Sequence, residues 1–262
     1  MAAAAQTDFA VGLLREAAAS SNASLILSPI SIALALSLAY AGAGGDTRRE
    51  FERVFARGAN TGAALDSAFH HAFAQLTAGN RSVVLELVNR AYVNRSLTVK
   101  TAYHELLDTN FGAAFQQVDF KEGRQKAVEE INAFVANFIR NKIRDLLSLK
   151  AIDPKTLLLL GNAVYFKGEW DEPFTEEMTT DETFFLDENN ERQIKMKQQI
   201  SGVKYIETDH VQVLELPYAD KATTFTVFLP KEKGGLLAWL QKVDGAKLVD
   251  LMDRMHRRRV NQ

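Results

Sequence analysis

The sequence predicts one α+β domain over residues 1–262, with helices in its first half and antiparallel strands in its second. Three observations support this class. Apolar residues recur at helical spacing in the first half, strand-like runs bounded by turn residues follow, and neither a repeat nor a linker separates the two halves. The chain has 262 residues, 47% of them hydrophobic, which is sufficient for a large core.

Most segments of the first half have an apolar helical face. The stretch from Leu25 to Gly45 has no charge and is long enough to span a bilayer, which takes about 20 residues. Because Pro29 and three serines interrupt it, we interpret it as a short strand followed by a core helix. Thr47 and Glu50 form a capping box at the next helix. A later amphipathic helix is traced by Val128, Ile131, Val135, Phe138 and Lys142.

The second half contains strand patterns. Residues Thr156–Phe166 have no charge, which predicts a central strand covered on both faces. Asp187–Asn190 is a hairpin turn, and the run Val211–Leu216 is expected to pair with Thr223–Leu229. A last helix is expected over Leu248, Leu251, Met252 and Met255.

The composition and motifs do not indicate an enzyme. A net charge of -2 gives no general attraction to nucleic acid, and the lack of cysteine excludes disulfides and thiolate metal sites. No metal or other cofactor is expected, since the histidines do not form a metal-binding pair; they are His70, His71, His104, His210 and His256. The glycines of Gly42–Gly45 lack the Gly-Lys-Ser/Thr of a phosphate loop, and the basic run His256–Arg259 is interpreted as solvated.

The amino-terminal residues show no basic region before an apolar core, and Asp8 interrupts the alanine-rich stretch. A cytoplasmic location is therefore expected, with an extracellular location as the alternative. No membrane partner is expected. Glycosylation sequons at Asn22, Asn80 and Asn94 are interpreted as chance matches, and the sequence leaves their use open.

Five segments together carry a family resemblance. They contain, in order, Ser28, Pro29, Ser31 and Ile32 with Gly42, Ala43, Gly45 and Thr47; Val118, Asp119 and Phe120; Lys142 and Ile143; Asn162, Ala163, Tyr165, Phe166, Lys167, Gly168 and Trp170; and the run from Leu214 to Tyr218. Over essentially the whole chain, these motifs resemble the serpins, a family of protease inhibitors. Phe134 is a departure, because tryptophan is usual there.

The resemblance implies a serpin-like fold, in which amino-terminal helices pack on antiparallel and mixed sheets. It also implies a mechanism, since a protease cleaves an exposed reactive loop that then enters the main sheet as an extra strand. Ser28, Ser31 and Asn162 match the polar cluster beneath the sheet, called the shutter. Trp170 matches the tryptophan at the end of the sheet where insertion begins, called the breach.

The chain ends at RRRVNQ, where the family begins another strand of the main sheet. The reactive loop and the closing strands are therefore expected to lie outside these residues. We expect an incomplete serpin domain that inhibits no protease alone and tends to aggregate, whereas the full-length form is expected to be a monomer that traps a serine protease, with cysteine proteases left open. The alternative is a non-inhibitory relative with a binding or chaperone-like role.

Overall fold

The structure is a computed structural model that describes residues 3–19, 24–56, 62–77, 83–111, 115–186 and 189–261. Its α-helices are α1 (Ala3–Ala19), α2 (Pro29–Gly42), α3 (Gly45–Ala56), α4 (Ala63–Thr77), α5 (Thr101–Phe111), α6 (Arg124–Phe138), α7 (Leu236–Lys242) and α8 (Gly245–Asp253). Its strands are β1 (Val83–Asn94), β2 (Phe115–Val118), β3 (Leu158–Gly168), β4 (Thr179–Phe185), β5 (Glu191–Lys197), β6 (Ile200–Glu207), β7 (Val211–Pro217), β8 (Thr224–Pro230) and β9 (His256–Asn261).

Two compact units alternate along the chain. The first comprises Ser28–Gly79 and Leu85–Phe166, and the second comprises Ala2–Leu27, Asn80–Val84 and Lys167–Gln262. The first unit therefore holds α2 to α6 with most of β1 and β3, and the second holds α1, α7, α8 and the later strands. The sequence-based prediction of one domain over 1–262 stays a prediction.

The first unit is built around a three-stranded sheet of order β2-β1-β3. Strands β1 and β2 are parallel, with Ala91 opposite Phe115 and Asn94 opposite Val118. Side chains alternate between the two faces of a strand, and Tyr92 of β1 accordingly packs on the α6 side. Its apolar cluster also contains Val118, Phe120, Ala127, Val128, Ile131 and Ile152. The sheet thus carries a core beneath α6.

The second unit contains two antiparallel sheets. Strands β4 and β5 form a two-stranded ribbon, with Thr179 opposite Lys197 and Phe185 opposite Glu191. The other sheet has the order β8-β7-β6-β9. One of its faces packs against α8, and the buried residues of that core are Ile206, Val211, Val213, Leu251 and Met255.

The α+β class is correct, but the order of elements is more mixed than predicted. Strands β1 and β2 lie in the first half and are parallel, whereas mostly helices were expected there and neither of these strands was predicted. The predicted central strand is β3, and within the described residues it pairs with β1 alone and lies at the edge of its sheet. The pattern of an uncharged run indicates coverage of both faces, but it carries no information about which neighbours pair with the strand.

Several element ends also differ from the predictions. No strand precedes α2 in residues 24–28. Helix α6 ends at Phe138 rather than near Lys142, because Arg140 and Asn141 have positive φ angles of 54° and 58° and cannot continue a helix. Helix α8 ends at Asp253, so Met255 lies beyond it.

The last described strand belongs to a different sheet from the one predicted. Instead of beginning a strand of the main sheet, His256–Asn261 form β9, which pairs with β6 in the four-stranded sheet. The cause is the short connection from α8. Met255 is buried in the core of this sheet, and His256 therefore emerges directly opposite Tyr205.

None of the helices in the described part of the chain combines the length and the apolar content that crossing a bilayer requires.

Helix α1 is joined to α7 and α8 by two charged side chains within the second unit. Arg15 donates from Nε to the carbonyl of Leu240 at 2.8 Å and from Nη2 to the carbonyl of Val243. Asp8 accepts a hydrogen bond of 2.6 Å from the backbone N–H of Gly245. The carbonyls at the end of one helix and an N–H at the start of the next lack intrahelical partners, and α1 supplies those partners.

We therefore expect Arg15→Ala to lower the free energy of unfolding by about 1.5–3 kcal/mol, as is typical of hydrogen bonds from a charged group. Arg49→Ala is the matched control, because the Arg49 side chain forms an exposed ion pair with Asp46 in α3 and its removal should change stability by less than about 0.5 kcal/mol. Urea denaturation of both variants measures the difference. Equal effects would show that the Arg15 contacts contribute nothing beyond a surface ion pair.

Candidate functional site

A buried polar cluster joins α2 to the sheet of the first unit. Ser31 is fully buried, and its Oγ lies 3.0 Å from both Asn162 Oδ1 and the carbonyl oxygen of Ser28. A hydroxyl has one proton, so Ser31 donates to one of these two acceptors at a time. The Asn162 side-chain N–H groups donate to Asn89 Oδ1 at 2.7 Å and to the Ser31 carbonyl at 3.2 Å. The cluster therefore connects β1, β3 and α2 by direct hydrogen bonds.

Local sequence explains why these groups meet. Pro29 occupies the first turn of α2, where its missing N–H is not needed. Ser28 precedes it at the N-cap, and its carbonyl accepts the first helical bond from the Ile32 N–H at 3.1 Å. Ser31 then lies on the same helical face as the buried Leu34 and Leu38. The helix start thus directs a hydroxyl toward the sheet.

The structure brings together two of the three predicted shutter residues through their side chains. Ser31 and Asn162 bond directly, whereas Ser28 contributes its carbonyl and its side chain makes no capping bond. Asn89 was missed by the sequence analysis. The sequence feature that could have indicated it is an amide side chain within the apolar run of β1, but this run was not predicted as a strand. The shutter role of the cluster stays a prediction.

An aromatic cluster surrounds Trp170 just beyond the end of β3. The Trp170 ring stacks on Tyr218 at a centroid distance of 4.6 Å and an interplanar angle of 10°. Its edge contacts are with Phe174 at 6.2 Å and Phe225 at 5.8 Å. Backbone bonds support this packing, because the N–H of Asp171 donates to the Pro217 carbonyl at 3.0 Å. The predicted breach residue thus links the end of β3 to the β7–β8 hairpin, and its breach role stays a prediction.

Gly168 makes this stacking possible. A Cβ atom at this position would lie 2.5 Å from Cδ1 of Tyr218, which is closer than real contacts allow. The Tyr218 ring is 8% exposed, and this burial raises the pKa of its hydroxyl. Gly168 is therefore required by the close approach of the ring rather than by its backbone angles.

The turn between β7 and β8 holds Tyr218 in place. Asp220 accepts bonds from the N–H groups of Thr223 at 2.9 Å and Ala222 at 3.1 Å, and Lys221 has a positive φ of 57°. These hydrogen bonds lower the pKa of the Asp220 carboxyl, and the bond from Thr223 has the largest effect. A lowered pKa means that this stabilisation is present above the pKa of the unfolded chain and is lost as pH falls through the folded value.

The third feature, after the polar cluster and the aromatic cluster, is the edge of β3 that faces away from β1. In the part of the chain that the structure describes, β3 pairs with β1 alone, and its other edge has no strand beside it. No charged residue occurs from Leu158 to Phe166. A long uncharged edge of this kind presents backbone N–H and C=O groups that can pair with another strand.

The described residues do not provide a metal site, since no three His, Cys, Asp or Glu side chains lie together in them. His104 instead contacts Asp108 one helical turn away, with Nδ1 at 3.2 Å from Oδ2. Of the three sequons, only Asn94 is described. Its side chain is 8% exposed, and its amide nitrogen donates to the Thr156 carbonyl at 3.2 Å. A glycan could not attach there without breaking this bond. Asn22 and Asn80 lie outside the described residues.

Comparisons with known proteins identify the family. The family model described as "Serpin (serine protease inhibitor)" matches residues 4–262, and the chain therefore belongs to the serpin family. Iripin-2 of Ixodes ricinus is 30% identical over 260 residues, which cover 98% of this chain and 65% of that protein. Antithrombin-III of Mus musculus is 31% identical over 240 residues, which cover 89% of this chain and 51% of that protein. The chain thus spans about two thirds of the length of Iripin-2 and half that of antithrombin-III.

Solved structures agree on the fold. The chain is similar to ovalbumin from emu (Dromaius novaehollandiae), with a TM-score of 0.92 and 25% identity, over 99% of this chain and 71% of that one. A structure of uncleaved ovalbumin gives a TM-score of 0.91 at 25% identity, covering the same shares of the two chains. The predicted family and the predicted α+β serpin fold are therefore confirmed.

We expect the hydrogen bond between Asn89 and Asn162 to stabilise the fold measurably. Each single alanine variant should lower the free energy of unfolding by about 1–3 kcal/mol, because its partner is left unsatisfied. Since the two side chains bond at 2.7 Å, the double variant should deviate from additivity by about 0.5–3 kcal/mol. Asn132→Ala is the control, because the Asn132 amide forms its hydrogen bonds with the backbone of Leu147 rather than with the Asn89–Asn162 pair. Strict additivity of Asn89→Ala with Asn162→Ala would contradict the expectation.

We also expect Gly168→Ala to be destabilising by about 1–3 kcal/mol, because the new methyl group must displace the Tyr218 ring from Trp170. Gly44→Ala is the matched control, since nothing lies within 4 Å of its added Cβ. That control should be neutral or stabilising by up to about 1 kcal/mol. Chemical denaturation followed by tryptophan fluorescence reports both, and a neutral Gly168→Ala variant would show that the close approach of Tyr218 is not required.

Proposed function

We propose that the protein is an inhibitor of serine proteases that acts by adding a strand to the three-stranded sheet. The observation that carries the proposal is the edge of β3, beside which the described residues place no strand, in a chain whose family is described as serine protease inhibitors. An inserted segment would satisfy the backbone groups of this edge through regular sheet hydrogen bonds. The gain in sheet pairing drives the conformational change, and the protease, still joined to the cleaved loop by an acyl bond, is carried with the inserted segment.

The polar cluster supports this role, because opening the sheet requires β3 to move relative to β1 and α2. Hydrogen bonds between Ser31, Asn89 and Asn162 can break and re-form during such a movement. A cluster of interlocked apolar side chains at the same place would have to unpack. In the proposed mechanism, Ser31 and Asn162 therefore act as the shutter, with Ser28 contributing its carbonyl.

Trp170 has the second proposed role. It lies beyond the last residue of β3 and is held by Tyr218, Phe174 and Phe225. Stacked and edge-to-face aromatic pairs are geometrically specific. The stack would keep the end of β3 aligned until the first residues of an entering strand arrive there, which is the function of the breach.

The expected partner is a serine protease. The proposed activity belongs to the whole protein, because these residues cover only 65% of the length of a relative such as Iripin-2. The first measurement is the intact mass of the endogenous protein, compared with the 29.1 kDa of these residues. The longest natural form is then the protein to assay. A cytoplasmic location remains the proposal from the sequence, with extracellular as its alternative.

We expect the longest natural form to give a complex that survives SDS with at least one protease from a panel of trypsin, chymotrypsin and elastase. Its apparent mass should approach the sum of the two proteins, because the acyl bond to the protease serine is retained. The same proteases with their catalytic serine blocked by phenylmethylsulfonyl fluoride are the control and should give no complex. The 262-residue chain is tested in parallel for the expected lack of inhibition.

Cleavage of the natural form by all three proteases without any stable complex would contradict inhibition of enzymes of this class. Stable binding to a protein other than a protease would then favour the non-inhibitory, chaperone-like alternative.

A further inference from the structure

Asp244 and Gly245 form the only Asp-Gly sequence in the chain, and no Asn-Gly sequence occurs in it. An aspartate before a glycine is chemically labile, because no side chain shields the glycine nitrogen. This nitrogen can attack Cγ of the protonated Asp244 carboxyl. The new C–N bond closes a succinimide ring, while a carboxyl oxygen leaves as water with the proton of the nitrogen. One water then hydrolyses the ring to aspartate or to isoaspartate.

This Asp-Gly pair lies at the junction between α7 and α8. Asp244 is the N-cap of α8, and its Oδ1 accepts a hydrogen bond of 2.8 Å from the backbone N–H of Lys247. Its side chain is exposed, whereas Gly245 is buried. Capping explains the aspartate, because aspartate is a preferred N-cap residue, but capping does not require a glycine after it. The local conformation therefore decides whether the succinimide ring can close.

Two side chains of α1 hold the backbone on both sides of this N-cap residue. Arg15 donates from Nη2 to the Val243 carbonyl, which precedes it. Asp8 accepts a hydrogen bond of 2.6 Å from the N–H of Gly245, which follows it. Between these contacts, Val11 of α1 packs in one apolar cluster with Val243, which is 1% exposed. The peptide groups before and after the N-cap residue are therefore both fixed to α1.

These contacts oppose the steps that ring closure requires. Cγ of Asp244 must leave the Lys247 N–H and move toward the Gly245 nitrogen, which needs rotation of the backbone between them. The Gly245 N–H must also leave Asp8, because the nitrogen becomes a nucleophile only as it gives up this proton. Proteins open locally at a lower cost in free energy than global unfolding. Ring closure is therefore expected only when α1 has detached locally from the α7–α8 junction.

We propose that Asp244–Gly245 is an isoaspartate-forming modification site that α1 protects through Asp8 and Arg15. In the isoaspartate form the main chain runs through Cβ and Cγ of Asp244, which lengthens the connection between α7 and α8. The side-chain carboxylate that caps α8 is consumed in the same reaction. Detachment of α1 is thus recorded as a permanent covalent change. The proposal does not depend on protease inhibition.

The deciding experiment ages the longest natural form of the protein at physiological temperature. Isoaspartate is measured by methyl transfer with protein L-isoaspartate methyltransferase and is located by peptide mapping. We expect Asp8→Ala to accumulate isoaspartate at Asp244 roughly tenfold faster or more, because a hydrogen bond to a charged group shifts a local opening equilibrium by about that factor. Asp8→Asn should stay near the unchanged protein, since its amide oxygen can still accept the Gly245 N–H. Adding Asp244→Ser to Asp8→Ala should abolish the signal, because serine caps a helix but has no carboxyl.

A variant destabilised elsewhere separates these contacts from general unfolding. Asn89→Ala is this control, because the bond between Asn89 and Asn162 belongs to the first unit, and isoaspartate at Asp244 should stay near the level of the unchanged protein. If Asp8→Ala does not fold, Arg15→Ala takes its place with the same expected increase. An equal rise in Asn89→Ala would show that ring closure follows global unfolding. Either that result, or an unchanged or lower rate in the α1 variant, would overturn the proposal.

Discussion

The arrangement of the first unit depends on the hydrogen bond between Asn89 of β1 and Asn162 of β3. This bond sets the faces of both strands, because side chains alternate along each of them. With Asn162 directed toward Ser31 of α2, its neighbour Ala163 must face α6, where it packs with Val135 and Ile139. One amide pair therefore determines which residues meet each covering helix.

The sheet is consequently held at its centre by polar contacts rather than by a continuous apolar core. Polar groups bond across one face through Asn89, while Arg90 and Tyr92 place polar atoms on the other. Apolar packing dominates at the start of α6 instead, around Val128 and Ile131. Hydrogen bonds can be exchanged for others of similar strength, whereas interlocked side chains resist sliding. This distribution suits the sheet opening that we propose.

At the end of β3, an aromatic stack replaces hydrogen bonds as the main contact. Gly168 allows Tyr218 to approach, and Trp170 lies flat against that ring. The turn that carries Tyr218 is stabilised by Asp220 and depends on its carboxylate being ionised. The hydrogen bonds of the polar cluster depend on strand position, whereas the aromatic stack depends on the β7–β8 hairpin.

The sequence by itself determined the family, the α+β class and two of the residues that meet in the polar cluster. Those conclusions rested on local features: the Ser-Pro helix start at Ser28 and Pro29, and the uncharged run around Asn162. Only the tertiary structure decided that Asn89 joins them, that β3 lies at an edge in the described residues, and that β9 pairs with β6. Strand pairing joins residues that are far apart in the chain, and no local sequence pattern encodes such contacts.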